Sequence, residues 1–209
     1  MAYLALVRHG MSEWNKKGVW TGQTDVELAP EGYAEAKRAA DAIADIDFDK
    51  AYVSDLMRAK ETFECIEIAL HKQIPVEHSS ALNERDYGAL TGKNKWEVEE
   101  QVGEKKFEEI RRGWDVCVPG GETLKDVYAR IVPYYESHIA PEIKAGHSVL
   151  VVAHGNSLRA LIKHIEGISD EKVCDIELGV GEVYCYLFDD QGKEISREIR
   201  AQNETRGKV

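Results

Sequence analysis

Two short segments of the 209-residue chain look alike and could do chemistry together. One is Leu6-Val7-Arg8-His9-Gly10, the other Val151-Val152-Ala153-His154-Gly155-Asn156. Each reads as a buried strand followed at once by a histidine and a glycine. In open α/β sheets, ligands bind beyond the carboxyl ends of the strands. If the two strands are neighbours, His9 and His154 meet at that edge. A neutral imidazole is a capable nucleophile near pH 7, because its ordinary pKa lies there. Arginine supplies planar, paired donors for phosphate, and Arg8 adjoins His9. Gly10 and Gly155 would let the backbone approach a ligand closely. A helix capped by Asn156 would turn its first amides toward an anion. One histidine at a strand end is more often a structural residue; two such motifs, with an arginine beside one, are much stronger evidence of a functional site.

The elements that must position these residues follow from hydrophobic spacing. Short apolar runs predict strands at Tyr3–Val7, Ala51–Ser54, Ile74–Glu77 and Ser148–Ala153. Arg8 to Leu28 is rich in Gly, Ser, Asn and Thr and reads as a long functional loop. Pro30 opens a helix with an apolar stripe of Tyr33, Ala36, Ala40, Ile43 and Ala44. Further helices are expected at Leu56–Leu70, after Gly120-Gly121 (Leu124, Val127, Tyr128, Ile131, Tyr135, with a kink at Pro133) and from Asn156 to Ile165. Residues from about 79 to 120 are polar and irregular, with helical stretches at Trp96–Val102 and Lys105–Arg112, and read as an insertion over one face of the sheet. Two last strands, Glu182–Phe188 and Glu194–Ile199, can form a hairpin that adds one antiparallel strand. The tail from Gln202 is polar and expected to be mobile. Alternating strands and helices imply an α/β three-layer sandwich, a mostly parallel mixed sheet with helices on both faces. Residues 1–209 read as a single domain.

Composition narrows the function classes. A formal net charge of −11 argues against a nucleic-acid surface, so an anionic ligand must be held by a local gathering of cations. No apolar run approaches the ~18–20 residues that cross a bilayer, and the first residues read as a strand, not a signal peptide. Cys65, Cys117, Cys174 and Cys185 form no CxxC pair and no metal-ligand cluster. They read as reduced thiols of a cytoplasmic protein without a metal site.

Leu6-Val7-Arg8-His9-Gly10-Met11-Ser12-Glu13-Trp14-Asn15 resembles the signature of the histidine phosphatase superfamily, and most closely its bisphosphoglycerate-dependent phosphoglycerate mutase branch. The likeness continues through Thr21-Gly22, Ser54-Asp55-Leu56-Met57-Arg58-Ala59, Leu82 to Lys95, Arg111-Arg112 and His154 to Arg159. The stretch from Leu82 to Lys95 is similar to the mutases and unlike the general phosphatases. Gln23 and Asp86 depart from that branch, which has tryptophan and histidine there. The segment from Asp115 to Gly120 and the C-terminal tail are short, and a homo-oligomer is compatible with the sequence.

The resemblance implies a phosphoglycerate mutase-like fold. It implies interconversion of 3- and 2-phosphoglycerate through a phosphohistidine at His9, primed by 2,3-bisphosphoglycerate and free of metal. It assigns Arg8, Arg58 and His154 to the oxygens of the transferring group and Glu84 to acid–base work. Ser12, Asn15, Thr21, Gly22, Tyr87, Lys95, Arg111, Arg112, Gly155 and Asn156 are carried over as substrate-binding positions. Blander readings stand beside these: Arg58 as a solvated helix arginine, Glu84 as a loop ion pair with Arg85, Arg111-Arg112 as a helix C-terminus favoured by its dipole. Trp14, Trp20, Trp96 and Trp114 read as packing. His71, His78, His138, His147 and His164 read as surface or packing residues. The rival functions are a phosphatase on the same scaffold, with water as acceptor, and a non-catalytic phosphate-binding protein. The latter has no need of a carboxyl like Glu84.

Overall fold

Alternation along β1 (Ala2–Arg8) sets the layers of the molecule. Leu4 and Leu6 face one side of the sheet, Ala5 and Val7 the other, and all four are buried. A strand covered on both faces must be apolar throughout, which is why this run shows no polar alternation. The other strands are β2 (Lys50–Ser54), β3 (Val76–Ser79), β4 (Val149–Ala153), β5 (Val183–Phe188) and β6 (Glu194–Arg200). Their order is β3-β2-β4-β1-β5-β6. The first four are parallel, and β5 alone runs against them, as the expected hairpin requires. The register pairs Arg8 with Ala153, so His9 and His154 leave adjacent strands at one edge.

In this computed structural model, which describes residues 1–203, helices cover both faces of the sheet. On one, α2 (Pro30–Ala42) and α3 (Met57–Leu70) pack Ala39, Ala40, Phe63 and Ile66 onto Ala5, Val7, Leu150 and Val152. On the other, α6 (Leu124–Tyr134), α7 (Ala140–Lys144) and α8 (Gly155–Glu166) pack Leu124, Val127, Ile131, Leu158 and Leu161 onto Leu4, Leu6, Val149 and Val151. The three-layer α/β architecture expected from the sequence is present.

Several local expectations change. The third strand sits at Val76–Ser79, later than expected, because its pairing with Ala51–Ser54 sets the register. In the α2 stripe Ala36, Ala40 and Ile43 are buried as expected, but Tyr33, 43% exposed, and Ala44 face out, and Gly32 and Ala39 are buried in addition. The Arg8–Leu28 loop holds a one-turn helix, α1 (Glu13–Lys16). Beyond Pro133 the chain continues through a π-helical turn, Tyr135–Ile139, into α7. His154, not Asn156, is the N-cap of α8. Gly10 meets backbone, not ligand: a Cβ there would lie 2.3 Å from the carbonyl oxygen of Gly32. The tail begins tied down, with the Asn203 N–H donating to Glu182 Oε1 at 3.0 Å and its side-chain amide to Glu35 Oε1 at 3.2 Å. The rest of the tail, from residue 204, lies outside the described residues.

Residues 79–120 contain α4 (Lys95–Val102) and α5 (Glu104–Arg112). Val98, Phe107, Ile110 and Val118 gather with Tyr87 around Trp20, forming a small core apart from the sheet.

Candidate active site

His9 is 3% exposed, and its Nδ1–H donates to the Gly10 carbonyl at 2.6 Å. A carbonyl only accepts, so in the neutral ring Nε2 carries the bare lone pair. Burial, reinforced by Arg58 and Arg8, holds this imidazole well below its ordinary range. It is therefore neutral and nucleophilic at physiological pH. The His154 ring lies alongside, 4.9 Å away between centroids. Burial, Arg58 and His9 hold its pKa well down too.

A chain of bonds fixes the His154 tautomer. Asn83 Oδ1 accepts from the Asp55 N–H at 3.1 Å and from the Ser54 hydroxyl at 2.8 Å. With its proton committed there, Ser54 Oγ must accept from His154 Nε2–H, at 2.7 Å. His154 Nδ1 is left buried without a hydrogen-bond partner among the described residues.

Arg58 is 1% exposed, which excludes the solvated-helix reading. It enters from the first turn of α3 and donates to the carbonyls of Gly22 at 2.8 Å and Thr24 at 3.0 Å. Gly22 holds the loop at φ +55°, where a Cβ would press on the Tyr87 backbone. Arg8 Nη1 donates to the Leu178 carbonyl at 2.6 Å. Burial draws Arg58 down to about 10, which leaves it charged at neutral pH.

Glu84 does not pair with Arg85. The Arg85 side chain is fully buried and donates to three carbonyls, of Glu122 at 2.5 Å, Ile110 at 2.8 Å and Val116 at 2.9 Å. The Glu84 carboxylate instead accepts from the backbone N–H groups of Arg85 at 2.7 Å and Asn156 at 3.2 Å. It thus stands at the N-terminus of α8, where the helix dipole favours an anion. Arg130 braces the segment from behind, donating to the carbonyls of Asn83 at 2.9 Å and Glu84 at 3.1 Å while paired with Glu122.

One pocket is lined by Arg8, His9, Asn15, Thr21, Gly22, Arg58, Glu84, Tyr87, Lys95, Arg111, Arg112, Gly155 and Asn156. His154 is not among the lining residues, its ring lying 4.9 Å from that of His9. Ser12 does not line the pocket: it is fully buried and caps α1, exchanging bonds with Asn15 at 2.9 and 3.2 Å. The Asn156 amide does not cap its helix because it donates to Tyr87 OH at 2.7 Å and accepts from Arg159 at 2.6 Å. Lys95 is 8% exposed, and burial together with Arg111 and Arg8 pushes it down to about 7. Arg111 and Arg112 close α5, as the dipole reading expects, and still face the pocket, paired with Glu108 at 3.0 Å and Glu177 at 2.9 Å.

Four lining residues were given no site role from the sequence: Trp20, Arg159, Glu177 and Leu178. Arg159 was within reach, since it shares a helix face with Asn156 three residues earlier. Trp20 does pack, 4.5 Å from Tyr87 and 5.8 Å from Phe107, but also walls the pocket. Glu177 and Leu178 carry no local signal. No group of three or more His, Cys, Asp or Glu able to hold a metal occurs among the described residues.

The arrangement suits transfer of a small anionic group: a bare nitrogen, a second imidazole, a carboxylate and several cations around one pocket. Residues 4–199 match the model of the histidine phosphatase superfamily (branch 1). A protein of Cytophaga hutchinsonii named 2,3-bisphosphoglycerate-dependent phosphoglycerate mutase is 45% identical over 90% of this chain and 88% of its own length. One of the same name from Parvibaculum lavamentivorans is 42% identical over 96% and 97%. The solved structure of Bacillus stearothermophilus YhfR superposes with a TM-score of 0.79 at 24% identity, covering 91% of this chain and 93% of that one, which speaks to the fold alone.

Proposed function

The chain belongs to the histidine phosphatase superfamily, and from that premise we propose that it is a 2,3-bisphosphoglycerate-dependent phosphoglycerate mutase. It interconverts 3-phosphoglycerate and 2-phosphoglycerate, serving glycolysis and gluconeogenesis in the cytoplasm. The observation that carries this reading is a bare, neutral His9 Nε2 in a pocket lined by Arg8, Arg58, Lys95, Arg111, Arg112 and Arg159. Two relatives at 45% and 42% identity bear the mutase name. No helix among the described residues is long and apolar enough to cross a membrane.

His9 Nε2 attacks a phosphorus of 2,3-bisphosphoglycerate. The phosphorus–oxygen bond breaks as the nitrogen–phosphorus bond forms, and the departing oxygen takes a proton that Glu84 has first taken up from solvent. In the return step Glu84 takes the proton from a hydroxyl of the bound monophosphate, whose oxygen then attacks the phosphohistidine. Return to the other hydroxyl completes the exchange. Phosphoryl transfer is mainly positioning and charge stabilisation, and here Arg8, Arg58 and His154 take the equatorial oxygens. His154 donates through Nδ1 once the phosphoryl charge has drawn a proton onto its buried ring. Asn15, Thr21, Gly22 and Asn156 line the space for the substrate, with Tyr87 and Gly155 shaping its wall. Ser12 acts through Asn15, whose turn it caps. Lys95, Arg111 and Arg112 hold the far end. We read the whole chain as one domain, with residues 79–120 covering the site.

The far-end cations favour the mutase over a phosphatase, because a mutase must keep its doubly phosphorylated intermediate long enough to turn it over. The test measures 2-phosphoglycerate formation with and without added bisphosphoglycerate, with released phosphate followed in the same tube. Bisphosphoglycerate is expected to stimulate isomerisation and to leave an acid-labile, alkali-stable label on the peptide containing His9. Label on the peptide containing His154, or phosphate release without isomerisation, would overturn the proposal.

A further inference from the structure

The pocket's arginines come from separate elements: Arg8 ends β1, Arg112 ends α5 and Arg159 lies in α8. Three consecutive residues of one short segment receive them. The Ile176 carbonyl accepts from Arg159 Nε at 3.0 Å, Glu177 Oε1 from Arg112 Nη1 at 2.9 Å, and the Leu178 carbonyl from Arg8 Nη1 at 2.6 Å. The segment is itself pinned. Tyr184 OH donates to the Glu177 carbonyl at 2.9 Å, and the Gly179 N–H donates to the buried Glu182 carboxylate at 2.8 Å. Two of the three acceptors are main chain, which almost any sequence would supply. Glu177 alone contributes a side chain.

We infer that Glu177 is a specificity-determining positioning residue: it holds Arg112 in fixed register with Arg8, so that the pocket selects an anion charged at both ends. This rests on the reading of Arg112 as a far-end contact. The bond reaches from the 79–120 segment to the lead-in of β5, so it sets a spacing that neither part fixes alone. Arg112 Nε also meets Glu108 at 3.3 Å, and two carboxylates orient the plane of a group that carries five donors. A carboxylate that merely occupied the substrate's place would act with the opposite sign, since its removal would strengthen binding.

The test compares Glu177→Ala and Glu177→Gln with the native chain. Dissociation constants for 3-phosphoglycerate and for inorganic phosphate are measured by calorimetry. Losing a hydrogen bond to a charged group should weaken 3-phosphoglycerate about tenfold or more in Glu177→Ala. Inorganic phosphate, which needs only the near end, should change far less. Glu177→Gln keeps an accepting oxygen and should fall between, which also covers the case of an alanine variant that fails to fold. Equal weakening of both ligands, or tighter 3-phosphoglycerate binding without the carboxylate, overturns the inference. Isomerisation is assayed on the native chain alone. Failure there sinks the mutase reading, while a selective loss in the binding assay still upholds the role of Glu177.

Discussion

Among single residues, Lys95 has a charge state that the pocket leaves balanced. Burial with Arg111 and Arg8 nearby pushes its ammonium down to about 7, so near neutral pH the empty pocket holds it charged only part of the time. An anionic ligand favours the ammonium and raises its pKa. The sign follows from linkage. Below about 7 the lysine is already charged in the free protein, and its full contribution to binding is present. Above that, binding must take up a proton, and affinity falls until the pH passes the ligand-bound pKa. The dissociation constant for 3-phosphoglycerate should therefore rise with pH above neutrality by up to about tenfold per unit. Lys95→Met should bind more weakly in mild acid and lose that part of the slope. Calorimetric titrations of both proteins across the range decide it, and parallel slopes would remove Lys95 as the group responsible.

Elements differ in how plainly the sequence announces them, and Arg85 marks the boundary. Strands β1 and β4 were legible because burial on both faces leaves unbroken apolar runs ending in the same His-Gly pair. The fold class followed from them, and so did the meeting of His9 with His154. In the 79–120 segment the two helices were legible, at Lys95–Val102 and Glu104–Arg112, but the rest read only as polar and irregular, since its order comes from side chains bonding to distant main chain. No periodicity reports that Arg85 satisfies the carbonyls of Ile110, Val116 and Glu122, or that Arg130 braces Asn83 and Glu84. Likewise Glu84 beside Arg85 suggested an ion pair, because adjacency in sequence says nothing of opposite directions in space. Arg85→Met tests this account. Each buried carbonyl left without a donor costs about 1–3 kcal/mol, and relaxation toward water recovers part of it, so a total near ~3 kcal/mol is expected. It should appear as a lower urea midpoint at unchanged slope. Native-state hydrogen exchange should quicken between residues 107 and 118 before the sheet opens. A loss below about 1 kcal/mol would mean that other donors satisfy these carbonyls.

Over the whole molecule, a chain of net charge −11 holds an anion by sorting its charges. Arg8, Arg58, Lys95, Arg111, Arg112 and Arg159 converge on one pocket, although the rest of the surface is dominated by carboxylates. Burial makes that concentration effective, because charges act far more strongly on one another away from bulk water and are less screened by salt. Arg58 and Arg159 are both drawn down only to about 10, so they remain charged at neutral pH. Phosphoryl transfer needs positive charge around three equatorial oxygens, a task that magnesium shares in many phosphotransferases. Here Arg8 and Arg58 are part of the chain, and carbonyl bonds to Leu178, Gly22 and Thr24 aim them before any ligand arrives. A chelator cannot remove them. Isomerisation is therefore expected to proceed at the same rate after exhaustive chelation, and added magnesium or manganese should not raise it. The decisive comparison is turnover in chelator-treated and untreated protein under one set of substrate concentrations. A fall on treatment that manganese reverses would mean that a metal holds the oxygens assigned to these arginines, and the mechanism built on His9 would have to be withdrawn.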